Sequence, residues 1–195
     1  LLMALSRQIP QADRSTQMGK WEKSRFMGVE ITGKVLGLIG CGNVGSIVAE
    51  RAQGLKMRVL VYDPFMTNEH AADLGVERVE LDILLARAHF ISLHTPLTEA
   101  TRGMIDAAAL AKTQRGVRII NCARGGLILE GDLKEAIRAG HVAGAALDVF
   151  AEEPAVKNEL FGMPEVIATP HLGAATNEAQ EKVAVQIAEQ MSDYL

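Results

Sequence analysis

The sequence predicts an α/β fold in which a doubly wound, mainly parallel sheet is covered by helices on both faces. Short apolar runs of strand length alternate with helical patterns along most of the 195 residues. Strands that alternate with helices form right-handed crossovers between parallel strands. The first strong apolar run, Val35–Ile39, is followed by a glycine-rich turn and then by a helical pattern. That order is typical of doubly wound sheets that bind a ligand.

The individual elements follow from apolar runs, turn residues and capping residues. Leu1–Leu5 has the pattern of a helix already under way, and residues 7–34 resemble a connecting arm with six basic and three acidic residues. We predict seven strands, at 35–39, 58–62, 76–79, 90–93, 117–121, 142–149 and 166–169. We predict helices at 44–53, 69–74, 81–87, 107–112 (capped by Asp106), 131–139 and 177–195.

The composition excludes several classes of protein. Hydrophobic residues make up 48% of the chain and charged residues 23%, which excludes intrinsic disorder as the overall state. The net charge of −4 and the aromatic content of 4% argue against nucleic-acid binding. No apolar run approaches the roughly 18 residues of a membrane span, so we expect no membrane partner. Two cysteines without metal-ligand spacing predict no metal site and are typical of a reducing cytoplasm.

A candidate phosphate-binding loop follows the first predicted strand. Gly40-Cys41-Gly42-Asn43-Val44-Gly45 matches G-x-G-x-x-G between a strand and a helix, where the glycines allow a tight turn and close approach of a pyrophosphate. The helix start offers N–H groups to the phosphates. Asp63 ends the second strand 18 residues after Gly45, and an acid there accepts hydrogen bonds from ribose hydroxyls. Because no arginine follows Asp63 to hold a 2′-phosphate, we predict NAD rather than NADP. The alternatives are that the glycine loop is a turn without a ligand and that Asp63 belongs to an ordinary Asp-Pro turn.

Three chemically complementary side chains follow three different predicted strands. Arg124, Glu153 and His171 should therefore meet at the carboxyl edge of the sheet, where the ligand binds. A guanidinium to hold a carboxylate, together with an imidazole to take a hydroxyl proton, suits hydride transfer from a 2-hydroxy acid to a nicotinamide. Glu152 competes with Glu153 for the same role. Asp148 either bonds the nicotinamide amide, which we favour, or caps a local turn.

Several spaced strings resemble the signature blocks of the D-isomer-specific 2-hydroxyacid dehydrogenases. The blocks lie at 38–45, 121–126, 145–150, 152–154 and 169–173. This resemblance implies a Rossmann-type NAD-binding fold, with Arg124 binding the substrate carboxylate and carbonyl and His171 acting as the acid/base. It also implies that Glu153, rather than Glu152, pairs with His171. The NAD pocket it implies is formed by Gly40, Gly42, Asn43, Val44, Gly45, Asp63, Thr95, Pro96, Ala123, Asp148 and Gly173.

Within the family, residues 20–28 and 91–98 most resemble members that convert 3-phosphoglycerate to 3-phosphohydroxypyruvate in serine biosynthesis. A glyoxylate or hydroxypyruvate reductase and a non-catalytic, NAD-sensing scaffold similar to related corepressors are the alternatives. The resemblance implies a separate substrate-binding domain, so we expect this chain to be a fragment that binds NAD but is inactive alone. We also expect a homodimer, with residues 1–34 forming a hinge helix and a dimerisation arm carrying Trp21 and Phe26, and residues 35–195 forming the NAD-binding domain.

Overall fold

The computed structural model describes residues 1–193, in which seven parallel strands form one sheet. In chain order the strands are β1 (Val35–Ile39), β2 (Arg58–Tyr62), β3 (Glu77–Arg78), β4 (Phe90–Leu93), β5 (Val117–Asn121), β6 (Val142–Leu147) and β7 (Val166–Ala168). Their spatial order is β3-β2-β1-β4-β5-β6-β7, and all neighbouring pairs are parallel. The winding therefore reverses between β1 and β4, which is where doubly wound sheets bind their ligands. The predicted fold class is confirmed.

Helices connect the strands along the described part of the chain. They are α1 (Leu2–Arg7), α2 (Ile9–Gln17), α3 (Asn43–Gly54), α4 (Asn68–Asp73), α5 (Leu81–Arg87), α6 (Ala107–Ala111), α7 (Glu130–Arg138) and α8 (Asn177–Asp193). The Asp106 carboxylate accepts a hydrogen bond of 2.8 Å from the Ala109 N–H, so the predicted cap of α6 is confirmed. Tyr194 and Leu195, the end of the predicted last helix, lie outside the described residues.

The core has one layer on each face of the sheet. Helices α5, α6 and α7 pack on one face through buried side chains such as Leu84, Leu110 and Leu133. Helices α1, α3 and α4 cover the other face, with Leu5 and Ala49 among the buried residues. The five residues of β1 are all buried, as expected of a central strand covered on both sides. Every loop at the carboxyl edge of the sheet is thus held by a rigid strand.

The segment expected to be an arm contains a helix that we did not predict. Helix α2 begins with Pro10 in its first turn, a position that tolerates proline. Gln11 on this helix donates a hydrogen bond of 2.8 Å to the Pro164 carbonyl, near β7. Trp21 follows α2 with 86% of its surface exposed. Among residues 1–193, no helix combines the length and apolar character needed to cross a membrane.

Candidate active site

The glycine loop after β1 forms a turn that leads directly into α3. Gly40 has a φ of +90°, and a Cβ atom there would lie 2.6 Å from the His94 carbonyl oxygen, so glycine is required. A Cβ on Gly45 would lie 2.6 Å from the Gly40 carbonyl oxygen, which shows how closely α3 approaches the turn. Around Gly42, by contrast, the described residues leave open space. A pyrophosphate can occupy that space at the start of α3, where no side chain caps the first N–H groups of the helix.

Asp63 lies beside this glycine loop, at the end of β2. One carboxylate oxygen accepts a hydrogen bond of 2.8 Å from the Cys41 N–H, and the other accepts one of 2.9 Å from the Phe65 N–H. Each carboxylate oxygen can accept a second hydrogen bond, so acceptor capacity remains for ribose hydroxyls. The residues that follow, Pro64 to Glu69, include no arginine to hold a 2′-phosphate. The loop and its acid therefore fit a dinucleotide without that phosphate.

His94 supports the glycine loop from behind. The backbone N–H of His94 donates a hydrogen bond of 2.7 Å to the Ile39 carbonyl, and the ring Nε2 lies 2.9 Å from the Ser92 hydroxyl. Burial lowers the pKa of His94 to about 4, so the ring is neutral at physiological pH. Thr95 and Pro96 follow it at the same edge of the sheet, next to the predicted cofactor loop. The sequence indicated the position of His94 but not this supporting contact.

The loop after β5 presents Arg124. The buried side chain of Asn121 shapes this loop by accepting a hydrogen bond of 3.0 Å from the Ala123 N–H and donating one of 2.9 Å to the Arg124 carbonyl. The Arg124 guanidinium is exposed, donates one hydrogen bond of 2.6 Å to the Ala123 carbonyl and, within residues 1–193, forms no salt bridge, so its other N–H groups have no anionic partner. It is therefore available to an anionic ligand. Sequence reasoning gave Asn121 no role of its own, although an amide side chain at the carboxyl end of a predicted strand was a usable signal.

Glu153 and His171 form a pair although 18 residues separate them in the chain. His171 Nδ1 lies 2.8 Å from Glu153 Oε2, and the Phe150 N–H donates a hydrogen bond of 2.9 Å to Glu153 Oε1. These two hydrogen bonds, that from His171 first, hold the pKa of Glu153 below its ordinary value. A carboxylate only accepts, so Nδ1 donates and Nε2 remains free to take a proton. Glu153, not Glu152, therefore contacts the imidazole.

Asp148 holds the loop that carries His171. Its buried carboxylate accepts hydrogen bonds from the Thr169 hydroxyl, from the Leu172 N–H at 2.8 Å and from the Gly173 N–H at 2.9 Å. His171 itself has a φ of 55°, in the left-handed region, and sits between these anchored residues. The arrangement matches the turn-capping alternative for Asp148. Its contact with a nicotinamide amide stays a prediction.

A cavity of about 590 Å³ opens beside this pair. The aromatic rings of Phe150 and Phe161, which meet edge to face at 5.2 Å, line its apolar part, and Glu153 and His171 lie at its polar side. The predicted site residues thus lie on loops at the carboxyl edge of the sheet or in the first turn of α3. Among the three catalytic candidates, only Glu153 and His171 touch each other. The edge combines a glycine loop at the start of a helix, an exposed guanidinium and an imidazole paired with a carboxylate.

Comparison with known proteins agrees with this geometry. The sequence model described as "D-isomer specific 2-hydroxyacid dehydrogenase, NAD binding domain" matches residues 1–173. The chain belongs to this family. Because the matched part of the family is its NAD-binding domain, the predicted cofactor, NAD, is confirmed.

Individual relatives support the same assignment. The chain is 48% identical over 194 residues to a D-3-phosphoglycerate dehydrogenase of Bacillus subtilis and 51% identical over 189 residues to one of Mycobacterium tuberculosis. These alignments cover 100% and 97% of this chain but only 37% and 36% of the relatives. A glyoxylate reductase from Paecilomyes thermophila has a TM-score of 0.89 and 34% identity, covering 94% of this chain and 56% of that one. The chain thus spans little more than a third of the length of the curated relatives.

Proposed function

We propose that the protein containing this domain is an NAD-dependent dehydrogenase that converts 3-phosphoglycerate to 3-phosphohydroxypyruvate in serine biosynthesis. The observation that carries the proposal is the 2.8 Å pair of Glu153 and His171 at the cofactor edge of the sheet. The names of the relatives that are 48% and 51% identical support the choice of substrate. The substrate-binding remainder of the enzyme would lie outside this chain, which we expect to bind NAD without turning over substrate.

Each catalytic residue has a role that follows from its contacts. The exposed guanidinium of Arg124, which keeps N–H donors beyond the one bonded to Ala123, binds the carboxylate of the 2-hydroxy acid and orients its C2 carbon. His171 Nε2 accepts the proton of the C2 hydroxyl, while Glu153 holds the ring through Nδ1 and stabilises the imidazolium that forms. Bound NAD supplies the chemistry of hydride acceptance. In the reverse direction the imidazolium returns its proton to the carbonyl oxygen.

A glyoxylate or hydroxypyruvate reductase is the second candidate, because one structural neighbour is a glyoxylate reductase. Its identity of 34% is lower than the 48% of the phosphoglycerate enzyme from Bacillus subtilis, which favours the first candidate. A non-catalytic, NAD-sensing scaffold is the third. The presence of Arg124 together with the Glu153–His171 pair supports an enzyme over a scaffold.

Turnover by the full-length protein tests this proposal. With NAD, we expect oxidation of 3-phosphoglycerate to exceed that of glycerate, glycolate and lactate. His171→Ala should lower kcat by about 10²–10⁴-fold, the usual contribution of a general acid/base, with little change in NAD affinity. His70→Ala, which alters an exposed histidine on α4, is the matched control and should leave kcat unchanged. Preference for glyoxylate would favour the reductase, and absence of turnover with every acid would favour the scaffold.

Assembly and location are further parts of the proposal. We infer a homodimer through residues 1–34, supported by Trp21 and Met27, which are 86% and 77% exposed on one segment. Aromatic side chains and arginine are common anchors of interfaces, and Arg25 lies 5.4 Å from the ring of Phe26. The two cysteines are unbonded thiols, which supports a reducing cytoplasm.

A further inference from the structure

The loop that carries Glu153 runs from β6 to β7 and is attached to α7 by a carboxylate that the proposed mechanism does not use. Glu130, the first residue of α7, accepts a hydrogen bond of 2.8 Å from the Ala151 N–H at Oε1. Its other oxygen, Oε2, accepts one of 2.6 Å from the Asn158 side-chain amide. The two carboxylate oxygens of Glu130 therefore contact the same loop at two positions, Ala151 and Asn158, which are seven residues apart in the chain.

We propose that Glu130 is a positioning residue, which sets the place of Glu153 and through it the orientation of His171. Phe150 and Ala151 are consecutive, and each gives its N–H to a carboxylate: Phe150 to Glu153, and Ala151 to Glu130. The hydrogen bond to Glu130 thus fixes the peptide next to the one that holds Glu153. If that peptide turns, the Phe150 N–H leaves Glu153 Oε1, and the pair with His171 loses its support.

A second contact joins the same loop to the one that presents Arg124. A Cβ atom added to Gly125 would overlap the carbonyl oxygen of Phe150, so the two backbones touch directly. Glu130 follows Arg124 by only six residues, at the end of the same connection from β5 to α7. Gly125, within this connection, and Glu130, at its end, therefore both contact the start of the turn at 150–153, an arrangement that we call the clamp. The clamp links the carboxylate-binding group to the proton-transfer pair.

The inference rests on the proposed dehydrogenase function and concerns the geometry of its acid/base pair. Misplacing a catalytic group by about 1 Å can cost on the order of 10²-fold in rate. In the full-length enzyme, Glu130→Ala should therefore lower kcat by about 10–100-fold, with the KM for NAD unchanged. Glu130→Gln keeps an acceptor for the Ala151 N–H, so we expect kcat within about fivefold of the unmodified enzyme.

Lys134→Ala is the matched control. Lys134 lies on α7 and contacts the same loop through a salt bridge of 3.1 Å to Glu159, away from the turn at 150–153. Because such a pair contributes little, its loss should leave kcat within about twofold. If Glu130→Ala does not fold, Glu130→Asp, which keeps the charge but shortens the reach, takes its place.

Two measurements separate positioning from a general structural role. The pH profile of kcat/KM for Glu130→Ala should move in the same direction as that of Glu153→Ala, and Glu130→Ala should have no further effect on kcat in a Glu153→Ala background. An unchanged profile, equal losses in both backgrounds, or a kcat within about twofold of the unmodified enzyme would overturn the proposal.

A spectroscopic readout keeps the test independent of turnover. The ring ¹⁵N chemical shifts of His171 report its hydrogen bond to Glu153 and should change in Glu130→Ala but not in Lys134→Ala. If the unmodified protein turns over none of the acids, the proposed function fails, and these shifts alone decide the role of Glu130. Unchanged shifts in Glu130→Ala would then refute it.

Discussion

The half-buried imidazole of His94 is expected to lower the stability of this domain as the pH falls. Its pKa of about 4 lies below the ordinary value of 6.5, so between these values the unfolded chain binds a proton that the folded chain does not. The contribution of His94 to the free energy of unfolding is therefore fully present above pH 6.5, falls as the pH drops toward 4, and changes no further below that. The difference in pKa corresponds to about 3 kcal/mol in the free energy of unfolding. About 2 kcal/mol of this should be lost when the pH falls from about 7 to about 4.5.

Urea unfolding at these two pH values, with His94→Gln as the comparison, measures this contribution. Glutamine cannot take the proton, so the variant should lose about 2 kcal/mol less than the unmodified chain on acidification. His70→Gln changes an exposed histidine and should show the same pH dependence as the unmodified chain. An identical loss in His94→Gln and the unmodified chain would show that His94 is not the group responsible.

Three other residues give separate expectations. Asp63→Ala should reduce the difference in binding free energy between NAD and NADP by about 1.5–3 kcal/mol for each hydrogen bond lost. Titration of both cofactors measures this difference. Tighter binding of NADP than of NAD by the unmodified protein would contradict the role of Asp63. Asp148→Asn puts an amide donor against N–H groups, so we expect the free energy of unfolding in urea to fall by about 3 kcal/mol. Unchanged stability would show that the His171 loop is held by other contacts. Trp21→Ala should weaken the homodimer by roughly 2 kcal/mol or more in sedimentation, while Phe65→Ala, which alters another highly exposed aromatic residue, should not. An unmodified protein that stays monomeric at high concentration would refute the dimer.

The centre of the sheet could be predicted from the sequence because strands such as β1 and β4 are buried on both faces. Val35–Ile39 is a continuous apolar run and Val117–Asn121 has an apolar centre at Ile119 and Ile120, and the structure gives both strands the predicted bounds. Helix α2 could not be predicted in this way. Its residues are mostly polar, and it is attached through a contact between Gln11 and Pro164, which lie 153 residues apart. Composition carries no information about such a long-range contact.

The candidate site shows the same division between local and distant information. The glycine loop and Asp63 follow a local pattern, and sequence reasoning found both. The hydrogen bonds that the Asp148 carboxylate accepts are donated by residues 21 to 25 positions later in the chain. From the sequence, capping of a turn by Asp148 was therefore only one of two alternatives, the other being a bond to the nicotinamide amide. The contacts of Glu130 with Ala151 and Asn158 span 21 and 28 residues, and no motif marked them.

The direct contact of Gly125 with the Phe150 carbonyl has a consequence for sequence variation. Where two backbones touch, even the methyl group of alanine would have to push one loop away from the other. Substituting a side chain at Gly125 therefore cannot change the distance between the Arg124 loop and the Glu153 turn without moving one of the two backbones. For the proposed dehydrogenase, we therefore expect changes in ligand preference at this edge to come from residues that line the cavity, such as Phe161 and Ala155, whose volume can vary while the backbone stays in place.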